Sequence, residues 1–144
     1  MKRTSVTYEF VEFIPSELGE GTLYISTTYA TAAHLCACGC RNKVVTPLSS
    51  VEWKLIYDGD SVSLHPSIGN WEFTCRSHYW IRHNKILWAR AWTDCEIAKG
   101  RRQDAEDLAS YFSGEETDFD VSSTRSRRRR KSILDRLRRL IRLR

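Results

Sequence analysis

The sequence predicts a mainly β fold, a small antiparallel sandwich or barrel, followed by a short C-terminal helix and a basic amphipathic tail helix. Three observations predict it. Short runs rich in β-branched and aromatic residues recur from the N-terminus to about Trp92, punctuated by Gly, Pro, Asn and Asp. Two dipeptides, Asp58-Gly59 and His83-Asn84, separate such runs as hairpin turns. Helical periodicity enters only beyond Trp92.

Taken in order, Val6 to Ile14 alternates as a half-buried strand that Pro15 ends, and Leu18-Gly19-Glu20-Gly21 is turn chemistry. Thr22–Ser26 is a second strand, and Lys43–Thr46 a third that Pro47 stops. Trp53–Tyr57 and Ser61–Leu64 flank Asp58-Gly59. His65–Asn70 reads as a loop and Trp71–Thr74 as a strand. Tyr79–Ile81 and Ile86–Ala89 form the second hairpin. Asp104–Phe112 carries Ala105, Leu108 and Phe112 at helical spacing. Ser132–Arg144 carries an apolar stripe of Ile133, Leu134, Leu137, Leu140 and Ile141 among arginines. The expected organisation is a domain over 1–112, a linker acidic then basic over 113–131, and a basic amphipathic helix over 132–144.

Charge divides along the same lines. Residues 125–144 hold 11 Lys and Arg against one Asp, whereas residues 1–124 hold 12 against 17 Asp and Glu. The tail is expected to pack back on its own domain or to bind a protein partner, with an anionic membrane surface or nucleic acid as the alternatives, and contact with either of these belongs to the tail and not to the domain. No run is long and apolar enough to read as a membrane span, and no secretory signal pattern opens the chain, so a cytoplasmic location is expected.

Three of the five cysteines fall in the stretch HLCACGC, and CRSH follows 35 residues after Cys40. In a reducing compartment such a cluster reads as metal ligands rather than disulfides, and an odd total cannot pair fully. Two short ligand sets joined across a β scaffold assemble a metal site at little local cost in order. Along an extended strand, residues i and i+2 lie about 6.5–7 Å apart, so the chain must turn to bring these sulfurs together. Gly39 is the residue that can turn it. The candidate ligands are Cys36, Cys38, Cys40, Cys75 and His78. The first choice is Cys38, Cys40, Cys75 and His78, with Cys36 in reserve. Thiolate and imidazole donors suit Zn2+, with a [2Fe-2S] cluster as the alternative. Cys95 reads as a small buried apolar residue. His34 reads as bonding nearby backbone, and His65 and His83 as solvated in loops.

The segment Ser63–Trp71, SLHPSIGNW, contains both Ser and His. It has no GxSxG elbow and no evident acidic partner, and reads as a packed loop over the metal site. Ser77 reads as a hydrogen-bonding neighbour of that site. No catalytic residue is assigned.

Cys38-Gly39-Cys40 followed by Cys75-Arg76-Ser77-His78 weakly resembles the ligand pairs of Rieske domains, which implies a Rieske-like β architecture, beside the zinc-ribbon-like one that the ligand spacing allows. It departs from them at Cys40, where a Rieske domain has histidine. The run of HLCACGC, VVTPL, SLHPSIGNW and CRSHYWI, in order from about Thr22 to Trp92, is more strongly similar to a family of bacterial proteins of about this length. That resemblance implies a metal-binding protein associated with operons for ubiquitin-like conjugation, beside E1-like and E2-like enzymes. The expected function is thus a zinc-binding β adaptor or ligase-like accessory module, with a protein partner such as an E1-like, E2-like or ubiquitin-like protein. The alternatives are a Rieske-like redox protein and a metal- or cysteine-dependent hydrolase or transferase.

Overall fold

The computed structural model describes residues 1–115; the expected basic linker and tail helix lie outside them. The chain divides into two compact units, Met1–Asp104 and Ala105–Arg144. The first holds two four-stranded sheets. Sheet one contains β1 (Thr7–Phe10), β2 (Thr22–Ser26), β3 (Thr31–Leu35) and β4 (Lys43–Pro47) in that order, with β1 parallel to β2 and the rest antiparallel. Sheet two contains β5 (Lys54–Tyr57), β6 (Val62–Gly69), β7 (His78–Arg82) and β8 (Lys85–Trp88), antiparallel throughout. One helix, α1 (Asp94–Glu115), begins in the first unit and runs into the second, where residues 105–113 are exposed. Among the described residues no helix is long and apolar enough to cross a membrane.

The mainly β architecture is the expected one, with differences in detail. β3 was not anticipated, because TAAHL has two alanines and little strand propensity. It forms because Ala32 and Ala33 let neighbouring elements pack closely, and both are fully buried. His65–Gly69 continues β6 instead of forming a loop, and Trp71–Thr74 is turn rather than strand. The helix starts ten residues earlier than its apolar spacing suggested. Thr93 caps it: Glu96 N–H donates to Thr93 Oγ1 at 3.3 Å, and Thr93 N–H donates to Glu96 Oε2 at 2.9 Å. This is the reciprocal capping box of a T-x-x-E sequence. Cys95 is exposed on this helix, not buried.

The inner faces of the two sheets share one apolar cluster. Leu23, Ile25, Ala32 and Val44 come from sheet one, and Val62, Leu64, Ile68, Tyr79, Ile81 and Ile86 from sheet two. Strand alternation explains the selection: Tyr79 and Ile81 are fully buried, so His78, Trp80 and Arg82 face the other way. The two hairpin tips differ. His83 and Asn84 both take positive φ, 46° and 61°, in a two-residue turn. The Asp58 turn spans four residues and is closed by Asp58 Oδ1, which accepts from the N–H groups of Asp60 and Ser61.

His34 is buried between the sheets, with Nε2 2.8 Å from Tyr79 Oη and Nδ1 unbonded. Burial pulls its pKa down to about 4. The unfolded chain, near the ordinary value of about 6.5, therefore takes up this proton first as pH falls. Stability should decline between about pH 6.5 and pH 4, by up to roughly 3 kcal/mol from this group. Urea titrations across that window should show a shallower decline for His34→Gln than for the parent. Parallel pH dependences would refute this assignment.

Candidate metal centre and serine–histidine pair

Two turns deliver the cysteines. In the first, Gly39 takes φ of 89° and its N–H donates to Cys36 O at 3.0 Å, while Cys36 N–H donates to Asn42 O at 2.8 Å. A Cβ at Gly39 would sit 2.9 Å from the Met1 nitrogen, so the position requires glycine on both counts. In the second, Arg76 takes φ of 42° and its N–H donates to Phe73 O at 2.9 Å. The sulfurs of Cys36, Cys38, Cys40 and Cys75 then all lie within 4.8 Å of one another. Three separations are 3.4 Å for Cys36–Cys38, 3.9 Å for Cys36–Cys75 and 3.7 Å for Cys40–Cys75. A tetrahedral zinc–thiolate site with bonds of about 2.3 Å has sulfur–sulfur edges of about 3.8 Å, so these four fit such an ion without rearrangement.

Polar side chains line the cluster. Ser77 Oγ lies 3.0 Å from Cys36 Sγ, Asn70 Nδ2 donates to Ser77 Oγ at 2.9 Å, and Asn42 Nδ2 donates to Cys40 Sγ at 3.4 Å. The four thiols do not ionise alike. Burial holds Cys36 and Cys38 above the usual thiol range. Burial acts on Cys75 in the same sense, but hydrogen bonds from Ser77 and the thiols of Cys38 and Cys40 outweigh it and bring Cys75 down to about 7. One thiolate is accommodated readily, and further ones need a cation among them.

His78, a first-choice ligand from the sequence, is not in this group. Ser77 turns toward Cys36, and β7 begins at the next residue, so alternation sends His78 to the opposite face of the sheet. The CxxH spacing brings two ligands to one ion in a turn or helix, and the start of a strand defeats it. Cys36, held in reserve, takes the fourth place in the cluster. His34 also stays apart, bonded to Tyr79.

His78 Nε2 instead lies 2.9 Å from Ser67 Oγ. The sheet makes this pair. Leu64 pairs with Ile81 and Ile68 with Tyr79, so three residues of β6, His65–Ser67, oppose the single residue Trp80. This bulge aims Ser67 along the sheet at His78, which pairs with Gly69. Gly69 cannot be replaced, because a Cβ there would sit 2.4 Å from the Trp71 indole. Trp71, Trp80 and Trp92 surround the imidazole with ring centroids at 5.0, 5.5 and 4.8 Å, and Trp71 stacks on Trp92. Burial holds His78 below the ordinary imidazole pKa. Its Nδ1 faces the Arg90 backbone without a hydrogen bond of ordinary geometry. Beside Trp71, a cleft of about 670 Å³ separates the Trp71–Arg76 turn from the first two turns of α1. The ion pairs Arg76–Asp94 and Arg101–Glu72 belong to its lining.

A Ser–His–Asp group at the hairpin tips lacks this geometry. Ser61 Oγ and Asp58 Oδ2 both approach the same nitrogen, His83 Nδ1, at 3.1 Å. A hydrolytic triad needs serine and acid on opposite nitrogens.

Comparison with known families adds one match. Residues 10–89 match the model of the family described as "Bacterial ubiquitination-like system serine protease (BubE)". The chain belongs to the BubE family. The match spans both the cysteine turns and the Ser67–His78 pair, and agrees with the link to ubiquitin-like conjugation that the motifs implied. No match was found among curated proteins or among solved structures. Ser67, paired with His78, is the residue that sequence reasoning read only as part of a packed loop. Its signal was the Ser and His of SLHPSIGNW and CRSH, but the partner was His78, not the adjacent His65.

The ligand set is open to direct measurement. Elemental analysis should find metal retained in His78→Ala and lost or sharply reduced in Cys36→Ser. The reverse pattern would restore His78 to the centre.

Proposed function

We propose that this chain is a serine hydrolase of a bacterial ubiquitination-like system, with Ser67 as nucleophile and His78 as general base. The observation that carries the reading is the 2.9 Å contact of Ser67 Oγ with His78 Nε2 inside the tryptophan box. The printed description of the family supports it. In the tautomer protonated at Nδ1, Ser67 O–H donates to Nε2, which is the geometry a base needs. As Ser67 Oγ attacks an acyl carbon, its proton passes to Nε2 and then to the departing amine or alkoxide. Water enters by the same route in reverse, releasing the acid and restoring Ser67. The three indoles exclude bulk water and hold the imidazole in place. The substrate class is an acyl linkage on a protein partner of the conjugation system.

Zinc is the ion we assign to the four cysteines, because all-thiolate donors at tetrahedral spacing suit it. Four protein ligands leave no open position, so its contribution is to close the fold. A Rieske cluster takes two histidines, and this donor group contains none. A reducing cytoplasm completes the reading, since it keeps such thiols available for metal.

Labelling by a fluorophosphonate, followed by peptide mapping, tests the nucleophile. Ser67 should carry the label, and Ser67→Ala should lose at least about a thousandfold in kcat. An inert Ser67 in metal-loaded protein would leave the adaptor role as the better account. The pH profile tests the base. His78 must be neutral to accept the proton, and burial depresses its pKa. Hence kcat/KM should be flat through neutrality and fall only below about pH 6.5. An acid limb at or above pH 7 would contradict a buried His78 base.

A further inference from the structure

The face of sheet two that bears Ser67 and His78 continues away from them as a basic, partly apolar surface. Cross-strand register sets its composition. Opposite the buried Tyr79 and Ile81, β7 presents Trp80 and Arg82 beyond His78. Trp80 pairs with Leu87 and Arg82 with Lys85. On the other side Lys54 pairs with His65 and Ile56 with Ser63. Same-face rows along a strand lie about 7 Å apart. The Trp80–Leu87 row is thus about 7 Å from His78 and the Arg82–Lys85 row about 14 Å, roughly two and four residues of extended chain.

Two features separate this face from ordinary surface. Leu87 is 43% exposed opposite Trp80, and Ile56 is 47% exposed on β5, across from Ser63 and in line with Arg82. Lys54, Arg82 and Lys85 share the face with no Asp or Glu among its strand residues, although residues 1–124 are acidic overall. Among the described residues, Arg3, Arg41, Arg76, Arg90 and Arg101 are each ion-paired, and none of these three cations is. Arg82 lies over the Trp80 ring at 5.8 Å, which joins the charge to the apolar row.

We propose that this face binds the substrate chain in extended form and selects a segment that is acidic and apolar two to four residues from the cleaved bond. The inference rests on the Ser67 hydrolase reading and adds its specificity. Apolar side chains would cover Trp80, Leu87 and Ile56, and carboxylates would meet Arg82, Lys85 and Lys54. Continuity with Ser67 favours a peptide over nucleic acid, whose phosphates have no reason to lie beside an acyl-transfer pair.

The test is cleavage of a proteome-derived peptide library by the full-length, metal-loaded protein, mapped by mass spectrometry with Ser67→Ala as blank. Asp and Glu should be enriched two to four residues from the cleaved bond. For an acidic peptide so identified, the Arg82→Glu/Lys85→Glu variant should raise KM about tenfold at low salt and shift the preference toward Lys and Arg. Its fluorophosphonate labelling at Ser67 should stay at the parental rate. Cleavage without acidic enrichment overturns the inference. So does a preference that survives charge reversal, competition by nucleic acid but not by acidic peptide, or failure to cut any peptide while Ser67 still labels. An unlabelled Ser67 removes the hydrolase reading first and this inference with it.

Discussion

Everything in the first unit depends on bringing four sulfurs within 4.8 Å from two turns that lie 35 residues apart in sequence. Four thiolates at that spacing repel, and as thiols, with Cys36 alone of the four buried and Cys40 exposed, they would contribute little. A cation at the centre, as proposed above, would convert the repulsion into a crosslink between the β3–β4 turn of sheet one and the turn that opens β7 in sheet two. The apolar cluster between the sheets is built of medium-sized side chains, with Ala32 and Ala33 on β3. A domain with so modest a core is the kind in which a metal crosslink carries weight.

The same turn that carries Cys75 also sets the serine–histidine pair. Cys75, Ser77 and His78 occupy one short stretch whose alternation divides the labour: Cys75 and Ser77 face the sulfur cluster, and His78 faces the outer surface. Asn70 fastens the other half. Its N–H donates to Ser77 O at 2.9 Å and its side chain to Ser77 Oγ at 2.9 Å, three residues past Ser67. The end of β6 and the start of β7 are thus locked in one register, and that register brings Ser67 Oγ to His78 Nε2. The same asparagine reaches Tyr79 Oη at 3.4 Å, which joins His34 across the sheet interface. A buried polar chain therefore runs from His34 to Cys36, and its members satisfy one another where an apolar core would have left the turns unguided.

The parts that could be read from sequence are those fixed by local chemistry. Gly39 announced the first turn and Asp58-Gly59 and His83-Asn84 the hairpins, since each depends on residues close in the chain, and the clustered cysteines announced a site that could hold a metal. The parts that could not be read depend on register. Nothing in SLHPSIGNW says that its serine meets a histidine eleven residues on, because that follows from a bulge in which three residues oppose Trp80. His78 was assigned to the metal because CxxH is a ligand spacing, and only the start of a strand between Ser77 and His78 reverses it. Thr31–Leu35 was passed over because alanine has no strand preference, yet the packing between sheets needs alanine there. The Thr93–Glu96 capping box was present in the sequence and went unread, which moved the helix start.

The absence of an acid behind His78 Nδ1 is consistent with where the imidazole sits. In a solvated triad a carboxylate fixes the tautomer and stabilises the imidazolium. Here three indoles surround the ring, and Nδ1 has no hydrogen-bond partner among the described residues. Arg90 is held by Glu96 of the capping box, and Ala89 N–H donates to His78 O at 2.9 Å. The segment after β8 is therefore anchored at both ends beside the ring. On the reading proposed above, packing alone would orient His78, and burial would leave it a weaker base than a carboxylate-backed histidine.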